Sequence, residues 1–242
     1  KYWLYVPASV AGKTNVPVVF SLHGRGGTGD PNAANSSTLG KPTFTSLADN
    51  EGFIVVYPQG RNGTNKADYP GDWNNGFENT TGWEATGKEN ADTKFIKALV
   101  DKIQADYKTP TASNSNISVD PKKFYLCGFS MGGMMTYACA KVLNGTFAAY
   151  GSCSGYPLNE FHMNLATENP IPFIHLHGNQ DNVLGIEHLH TIIENLLFRN
   201  GCDLSNQVID KDWVTNKENK KNGEEHNFKR YDFTSVNGAP VT

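Results

Sequence analysis

Short apolar runs alternate along the chain with longer stretches whose apolar residues recur at helical spacing. The runs are rich in β-branched and aromatic residues, which is typical of buried strands. They are Val16–Leu22, Gly52–Tyr57, Lys123–Cys127, Phe147–Cys153 and Ile171–Leu176. The helices predicted between them are Phe44–Asn50, Asp92–Tyr107, Gly132–Leu143 and Ile186–Asn200. This alternation predicts an α/β fold of three layers, with a mostly parallel central sheet covered on both faces.

The domain organisation predicted from this pattern is simple. We expect one domain over residues 1–242, with a β-hairpin insert at about 205–240. Within the insert, Val208–Val214 and Phe228–Phe233 flank the dipeptide Asn222-Gly223. Asn-Gly is favoured in tight hairpin turns because both residues tolerate a positive φ.

Composition excludes several classes of protein. Of the 242 residues only 19% are charged, and the net charge is −3. A nucleic-acid partner is therefore not expected, because it would need a clustered basic surface. No apolar run reaches the roughly 18 residues of a membrane-spanning helix, so no membrane partner is expected either. Four cysteines are too few for a disulfide scaffold, and their spacing matches no zinc pattern.

Glycosylation sequons indicate the compartment. Five Asn-x-Ser/Thr sequences begin at Asn35, Asn62, Asn79, Asn116 and Asn144. Such acceptor sites are used in secreted proteins, so we expect an extracellular glycoprotein. One or two disulfides would be compatible with that compartment.

The sequence Gly128-Phe-Ser130-Met-Gly132 predicts a nucleophile elbow. It follows a predicted strand and opens a predicted helix, which is the context that such an elbow requires. A serine on this tight turn is exposed at the carboxyl end of the strand, and the flanking glycines avoid clashes between the closely packed backbones. Ser130 is therefore the candidate nucleophile.

Two other polar candidates are interpreted structurally. Gly151-Ser-Cys153-Ser-Gly155 has the elbow spacing around a cysteine, but Tyr156-Pro157 interrupts any following helix. We interpret it as the end of the next strand. Asp92 stands at the start of a predicted helix and is interpreted as its N-cap.

Two further motifs stand at predicted carboxyl ends of strands. Leu22-His-Gly-Arg-Gly-Gly27 can turn backbone N–H groups towards an oxygen near the serine. The predicted oxyanion-hole donors are the amides of Arg25 and Met131, and His23 is expected to brace the loop. The second motif, His177-Gly-Asn-Gln-Asp181, places a carboxylate where it can orient the histidine that deprotonates the serine.

These motifs occur together in an order found in a known family. The segments concerned are Tyr2–Pro7, LHGRGG, GFIVVYPQG, Asp72-Trp73, VDPKKFYLCGFSMGGMMTYACA, FAAYGSCSG and HLHGNQDNV. Across most of residues 1–200 the chain resembles carbohydrate esterase family one, which includes feruloyl and acetylxylan esterases and polyhydroxybutyrate depolymerase-like enzymes. The resemblance implies an α/β-hydrolase fold, a secreted enzyme acting on plant cell-wall xylan esters, and Ser130 and Asp181 as members of a Ser-His-Asp triad.

The triad histidine is not identified by this resemblance. The family's histidine follows the final strand, and we expect it just beyond Thr242, with the first and last elements of the fold missing from the chain. His226 is the alternative, since it is the only histidine late in the sequence. His162, His175, His177, His188 and His190 stand before or near the acid and are interpreted as packing residues.

The reaction implied is two-step acyl transfer through the serine, which needs no metal and no cofactor. Trp73 is expected to contact the substrate, a feruloylated or acetylated xylan. Feruloyl esterase is the favoured activity. The alternatives are an acetylxylan esterase, a polyester or lipid ester hydrolase, and an esterase-like protein that binds carbohydrate without turnover.

Overall fold

The computed structural model describes residues 1–33, 43–60, 71–73, 90–157, 169–202, 208–210, 230–233, 235 and 240–242. Its centre is a six-stranded sheet with the order β1-β3-β2-β4-β5-β6. The strands are β1 (Tyr2–Tyr5), β2 (Val16–Leu22), β3 (Ile54–Pro58), β4 (Val119–Phe129), β5 (Ala149–Cys153) and β6 (Phe173–Leu176). β1 pairs with β3 in the antiparallel sense and all other pairs are parallel. The mostly parallel sheet is therefore as predicted.

Helices cover both faces of the sheet. They are α1 (Thr43–Glu51), α2 (Ala91–Asp106), α3 (Met131–Val142) and α4 (Leu189–Asn200). Ala48 of α1 packs on Val55 and Tyr57, whereas the alternate residues of the same strand, Ile54 and Val56, belong to a core shared with the other three helices. Since successive strand residues point to opposite faces, α1 covers one face and α2, α3 and α4 cover the other. The three-layer α/β prediction is confirmed.

The start of α2 differs from the prediction. Asn90, not Asp92, is the N-cap: its side-chain oxygen accepts hydrogen bonds from the N–H groups of Asp92 and Thr93, each at 2.9 Å. The Thr93 hydroxyl in turn receives the Asn90 N–H, at 2.9 Å. This reciprocal capping box fixes the first turn two residues earlier than the sequence interpretation did. Asp92 then lies in the first turn, where its negative charge complements the helix dipole.

The region of the expected insert contains a second, two-stranded sheet. β7 (Val208–Asp210) and β8 (Arg230–Asp232) pair in the antiparallel sense. Residues 211–229, which include the expected turn, lie outside the described part of the chain. Phe233 continues from β8 and bridges Val241, which in turn bridges Phe173 of β6 in the parallel sense. The small sheet is thus joined to the free edge of the large one.

All four cysteines are free thiols, and Cys139 is buried. Within the residues that the structure describes, no helix combines the length and the apolar character that crossing a membrane requires.

Candidate active site

Ser130 occupies a strained turn between β4 and α3. Its φ and ψ are 53° and −119°, a conformation that an L-residue with a side chain adopts only when the surroundings enforce it. Two backbone hydrogen bonds do so. The Ser130 N–H donates to Cys153 O (2.8 Å), and its carbonyl accepts from the Met134 N–H (3.0 Å). The side chain is half-buried at the carboxyl edge of the sheet.

Three glycines, Gly128, Gly133 and Gly155, surround this turn so closely that none has room for a side chain. A Cβ on Gly128 would lie 2.2 Å from Gly132 O, and one on Gly155 would lie 2.1 Å from Ser130 O. A Cβ on Gly133 would meet Ser152 Oγ at 2.4 Å. The elbow is therefore held by direct backbone packing of β4, α3 and the turn after β5.

The cysteine sequence with elbow spacing is not an elbow. Cys153 ends β5, and the residues described directly after it, 154–157, are not helical. Burial raises the pKa of its thiol, which disfavours the thiolate that a nucleophile needs. The interpretation as a strand end is confirmed.

The glycine-rich loop after β2 contacts the start of α3 directly. A Cβ on Gly132 would lie 2.4 Å from Leu22 O and 2.6 Å from His23 O. Within the loop, the Gly27 N–H donates to Gly24 O (3.1 Å), and Gly26 has a φ of 64°, so Arg25 and Gly26 are the central residues of a tight turn. Met131 is the first residue of α3, so its N–H has no acceptor within the helix. The two predicted oxyanion donors, Arg25 and Met131, thus belong to touching segments.

His23 braces this loop, as the sequence suggested. Its ring is fully buried, and its Nε2 accepts a hydrogen bond from the Gly60 N–H (2.9 Å). Nδ1 therefore carries the proton and donates to Gly24 O (2.7 Å). Burial lowers the pKa of His23, which keeps the ring neutral. Gly24 O is held by this bond, and since N–H and C=O oppose each other in a trans peptide, the Arg25 N–H points away from the ring.

Trp73 lies in a different position from the one expected of a substrate contact. Only 3% of its surface is exposed, and its indole N–H donates to His23 O (2.8 Å). Its ring packs on the His23 ring, with 4.9 Å between the centroids. The expectation that Trp73 touches substrate is therefore corrected: the side chain is buried under the loop, where its one polar group is hydrogen-bonded.

Asp181 lies in the turn after β6. Its Oδ1 accepts hydrogen bonds from the N–H groups of Val183 and Leu184, each at 2.9 Å. These two bonds lower the pKa of Asp181 below its ordinary value, and the bond from Leu184 has the larger effect. The side chain is partly exposed, and Oδ2 lies 3.6 Å from Nε2 of His177. The turn thus presents an ionised carboxylate at the edge of the sheet.

A buried chain of hydrogen bonds supports this turn, and the sequence interpretation missed it. His177 Nε2 lies 2.7 Å from Leu184 O and must carry the proton of that bond. Its Nδ1 therefore accepts from His175 Nε2 (3.2 Å), and His175 Nδ1 accepts from the hydroxyl of Tyr137 (2.8 Å). Burial, then the neighbouring His177, lowers the pKa of His175 to about 3. The alternation His175-x-His177 was the available signal, because such residues share one face of a strand.

The strand register places these loops at one edge. Phe129 pairs with Cys153, and Cys153 with Leu176, so the residues that follow β4 and β6 lie two strands apart. Neighbouring strands are separated by about 4.8 Å, which puts the two backbones about 10 Å apart. On the far side of β6, the His175 N–H donates to Thr242 O (2.7 Å), and Thr242 therefore lies beside β6.

The described histidines make contacts other than with Ser130. His23, His175 and His177 use their ring nitrogens as given above, and His190 is exposed on α4. His162, His226 and the side chain of His188 lie outside what the structure describes. Among the described side chains, no group of three or more His, Cys, Asp or Glu could hold a metal ion.

The sheet, the covering helices and the serine elbow define the α/β-hydrolase class. A solved structure with this fold is the acetyl xylan esterase from Aspergillus awamori, which has a TM-score of 0.62 and covers 99% of this chain and 85% of its own, at 18% identity. The model of the family described as "Dienelactone hydrolase family" matches residues 8–204. The chain belongs to that family.

Two proteins of named activity are similar to most of this chain in sequence. A bifunctional acetylxylan esterase/xylanase of Neocallimastix patriciarum is 32% identical over 216 residues, which are 89% of this chain and 26% of that protein. A probable feruloyl esterase C of Aspergillus clavatus is 26% identical over 207 residues, which are 85% of this chain and 63% of that protein. The chain thus spans less than two thirds of either relative. The resemblance to acetylxylan and feruloyl esterases is confirmed.

Proposed function

We propose that this chain is a serine esterase that releases feruloyl or acetyl groups from plant cell-wall xylan. The observation that carries the proposal is the geometry of Ser130. A serine is kept in a strained conformation, half-exposed at the carboxyl edge of the sheet, by glycines whose packing leaves no other residue type possible. Strain of this kind persists where function requires it, and the named activities of the two relatives supply the substrate class.

The proposed mechanism is acyl transfer in two steps. The Ser130 hydroxyl gives its proton to a histidine base while its oxygen attacks the ester carbonyl carbon. The carbonyl oxygen becomes an oxyanion and accepts hydrogen bonds from the Arg25 and Met131 amides. On collapse, the ester C–O bond breaks, the imidazolium protonates the sugar hydroxyl, and water then hydrolyses the acyl-enzyme with the same base. No step uses a metal or a cofactor.

Asp181 is proposed to orient that base. Its Oδ1 is already occupied by two backbone N–H groups, so Oδ2 is the oxygen available to an imidazole. The separation of about 10 Å between the two loops leaves room for a ring between them. We expect the histidine to follow a strand on the far side of β6, because Val241 bridges Phe173 in the parallel sense and a parallel strand there would end at the same edge as Asp181. His226 remains the alternative.

A more specific question is which acyl group, feruloyl or acetyl, the protein releases. The sequence resemblance favours feruloyl, whereas the relative with the higher identity of the two is named for acetylxylan. The ratio of kcat/KM on a feruloylated arabinoxylo-oligosaccharide to that on an acetylated xylo-oligosaccharide decides between them. Activity only on a polyester or a lipid ester would support that alternative, and binding of xylan without any turnover would support the carbohydrate-binding one.

The test of the serine is Ser130→Ala in the purified protein. We expect ester hydrolysis to fall by at least about 10⁴ with the thermal midpoint unchanged, because the nucleophile is lost and the fold is not. Ser154→Ala is the matched control: Ser154 also follows a strand at positive φ, one strand away, and should keep the rate within about twofold. A fluorophosphonate probe should label Ser130 in the mass spectrum. A Ser130→Ala variant with a tenth of the original rate would refute the assignment.

We also propose that the protein is secreted and glycosylated. Of the two sequons that the structure describes, Asn116 is exposed, whereas Asn144 donates its side-chain amide to Asn169 O (3.1 Å). We therefore expect a glycan at Asn116 rather than Asn144 in protein collected from the culture medium of its natural source. Retention of the whole protein inside the cells would contradict secretion.

A further inference from the structure

The residues Gly71, Asp72 and Trp73, called here the bridging tripeptide, contact both halves of the proposed oxyanion hole. One half is the loop after β2, which carries Arg25. The other is the start of α3, which carries Met131. In the proposed mechanism these two amides must meet a single oxygen, so their separation is what matters for catalysis.

Asp72 fixes the first half. Its carboxylate is buried, with 5% of the residue exposed. Oδ1 accepts a hydrogen bond from the Gly26 N–H (3.1 Å), and Oδ2 lies 3.4 Å from Nε of Arg25. A hydrogen bond from a backbone N–H to a carboxylate is stronger than one between neutral groups, and the Arg25 guanidinium forms an ion pair with the same carboxylate. The peptide immediately after Arg25 is therefore held in one orientation.

Trp73 joins the first half to the second. Its indole N–H donates to His23 O, at the base of the loop, and its backbone N–H lies 3.4 Å from the sulfur of Met131. Gly71 closes the contact at the other end of the loop, since a Cβ there would lie 2.2 Å from Gly27 O. One short segment thus touches the loop at both ends and touches the first residue of α3.

We propose that Asp72 and Trp73 are positioning residues that hold the Arg25 and Met131 amides at the spacing a tetrahedral oxyanion requires. The inference rests on the proposed function of Ser130. It predicts a specific kinetic signature: because the oxyanion exists only in the transition state, misplacing its donors lowers kcat and leaves KM nearly unchanged. A substrate-contacting Trp73, as first expected from the sequence, would instead raise KM.

The experiment compares Trp73→Phe and Asp72→Asn with the original protein on a small soluble ester and on a xylan-derived ester. Trp73→Phe keeps an aromatic ring but removes the indole N–H with the five-membered ring, and Asp72→Asn keeps the shape and removes the charge. Removing an oxyanion donor outright lowers kcat by about 10²–10³, so a loss of about 10–10² is expected for a positioning residue on both substrates. An arylboronic acid, which forms a tetrahedral adduct at the serine, should bind more weakly by a similar factor.

Matched controls separate positioning from loss of stability. Trp3→Phe makes the same chemical change on β1, and Asp101→Asn does so at an exposed ion pair with Lys97 on α2. Both should keep kcat. An unchanged kcat in both test variants below their thermal midpoints, or a raised KM at constant kcat, would overturn the inference. Absence of ester hydrolysis and of Ser130 labelling in the original protein would instead refute the proposed function itself.

Discussion

The loop that carries Ser130 and the loop that carries Asp181 stand at the same edge of the sheet but are held by different forces. The serine elbow is fixed by backbone atoms packed against glycines, at separations where no Cβ fits. The acid turn is fixed by hydrogen bonds from two backbone N–H groups and from a row of buried side chains. Steric packing is intolerant of added atoms and insensitive to pH, whereas a polar network tolerates added atoms and responds to protons.

The difference corresponds to what each loop does in the proposed reaction. The serine oxygen must start from one position, because even a small error in its distance to the carbonyl carbon slows the attack. The carboxylate acts through a histidine and needs only to keep its charge and its direction. The hydrogen-bonded chain from Tyr137 through His175 to His177 supplies direction without restricting the space around Gly178.

The largest effect is expected on kcat when the charge of Asp181 is removed. Asp181→Asn should lower kcat by about 10⁴, because a neutral amide no longer fixes the tautomer of the base or stabilises its imidazolium. The thermal midpoint should change little, since an amide oxygen can still accept from Val183 and Leu184. Gln180→Ala, at an exposed position one residue earlier, is the control. Normal turnover in Asp181→Asn would move the acid to another residue.

Adding one methyl group to each loop tests the steric half of the comparison. Gly128→Ala should destabilise the protein by at least about 3 kcal/mol, because the new Cβ would lie 2.2 Å from a backbone oxygen that cannot move freely. Gly178→Ala should change the free energy of unfolding by less than about 0.5 kcal/mol, since the nearest atom to its Cβ is Asp181 N at 4.0 Å. Denaturant unfolding measures both. Equal losses would show that the two loops are held alike.

Removing one hydroxyl from each of two buried tyrosines tests the polar half. Tyr137→Phe should destabilise by about 1–3 kcal/mol, because Nδ1 of His175 is left buried without a donor. Tyr57→Phe should be neutral or stabilising, since the Tyr57 hydroxyl is buried with no partner in the part of the chain that the structure describes. If both substitutions had the same effect on the free energy of unfolding, the hydrogen-bonded chain would not contribute to stability.

The smallest expected effect is the change in the free energy of unfolding for each unit of pH. With its pKa at about 3 in the fold and 6.5 as the ordinary value, His175 binds a proton more readily in the unfolded chain. Its contribution to stability is therefore complete above about pH 6.5 and is lost as the pH falls, by at most about 1.4 kcal/mol per pH unit. Asp181, with its lowered pKa, loses its own contribution only below its ordinary value of 3.8.

The comparison of interest is the original protein with His175→Gln between about pH 6.5 and about pH 4, where Asp181 stays ionised. Denaturant unfolding at several pH values should give a shallower slope for the variant. Parallel slopes would mean that folding does not lower the pKa of His175.

The sequence predicted what depends on local pattern. Periodicity placed the strands and helices, and the context of Ser130 located the elbow, because a strand, a small turn and a helix are adjacent along the chain. It missed what depends on contacts between distant segments. Trp73 is an aromatic residue in a polar stretch, and only the fold reveals that its indole N–H donates a hydrogen bond to the backbone carbonyl of His23. The wrong N-cap assignment at Asp92 has a local cause. Asn90 and Asp92 are both residue types that favour the N-cap position, and the capping box between Asn90 and Thr93 decides between them.

The strand order has a consequence for how the chain reaches its native state. β2 pairs with β4 through Val18 and Phe124, so the central contact of the sheet joins segments separated by nearly half of the sequence. Closing so long a loop must be accomplished before the contact can stabilise anything, and sheets built this way fold slowly. The strained conformation of Ser130 depends on that contact and on the later turn at Gly155, whose backbone packs against Ser130 O. During synthesis the serine is therefore an ordinary, relaxed residue, and it takes up its strained conformation only when the sheet is complete.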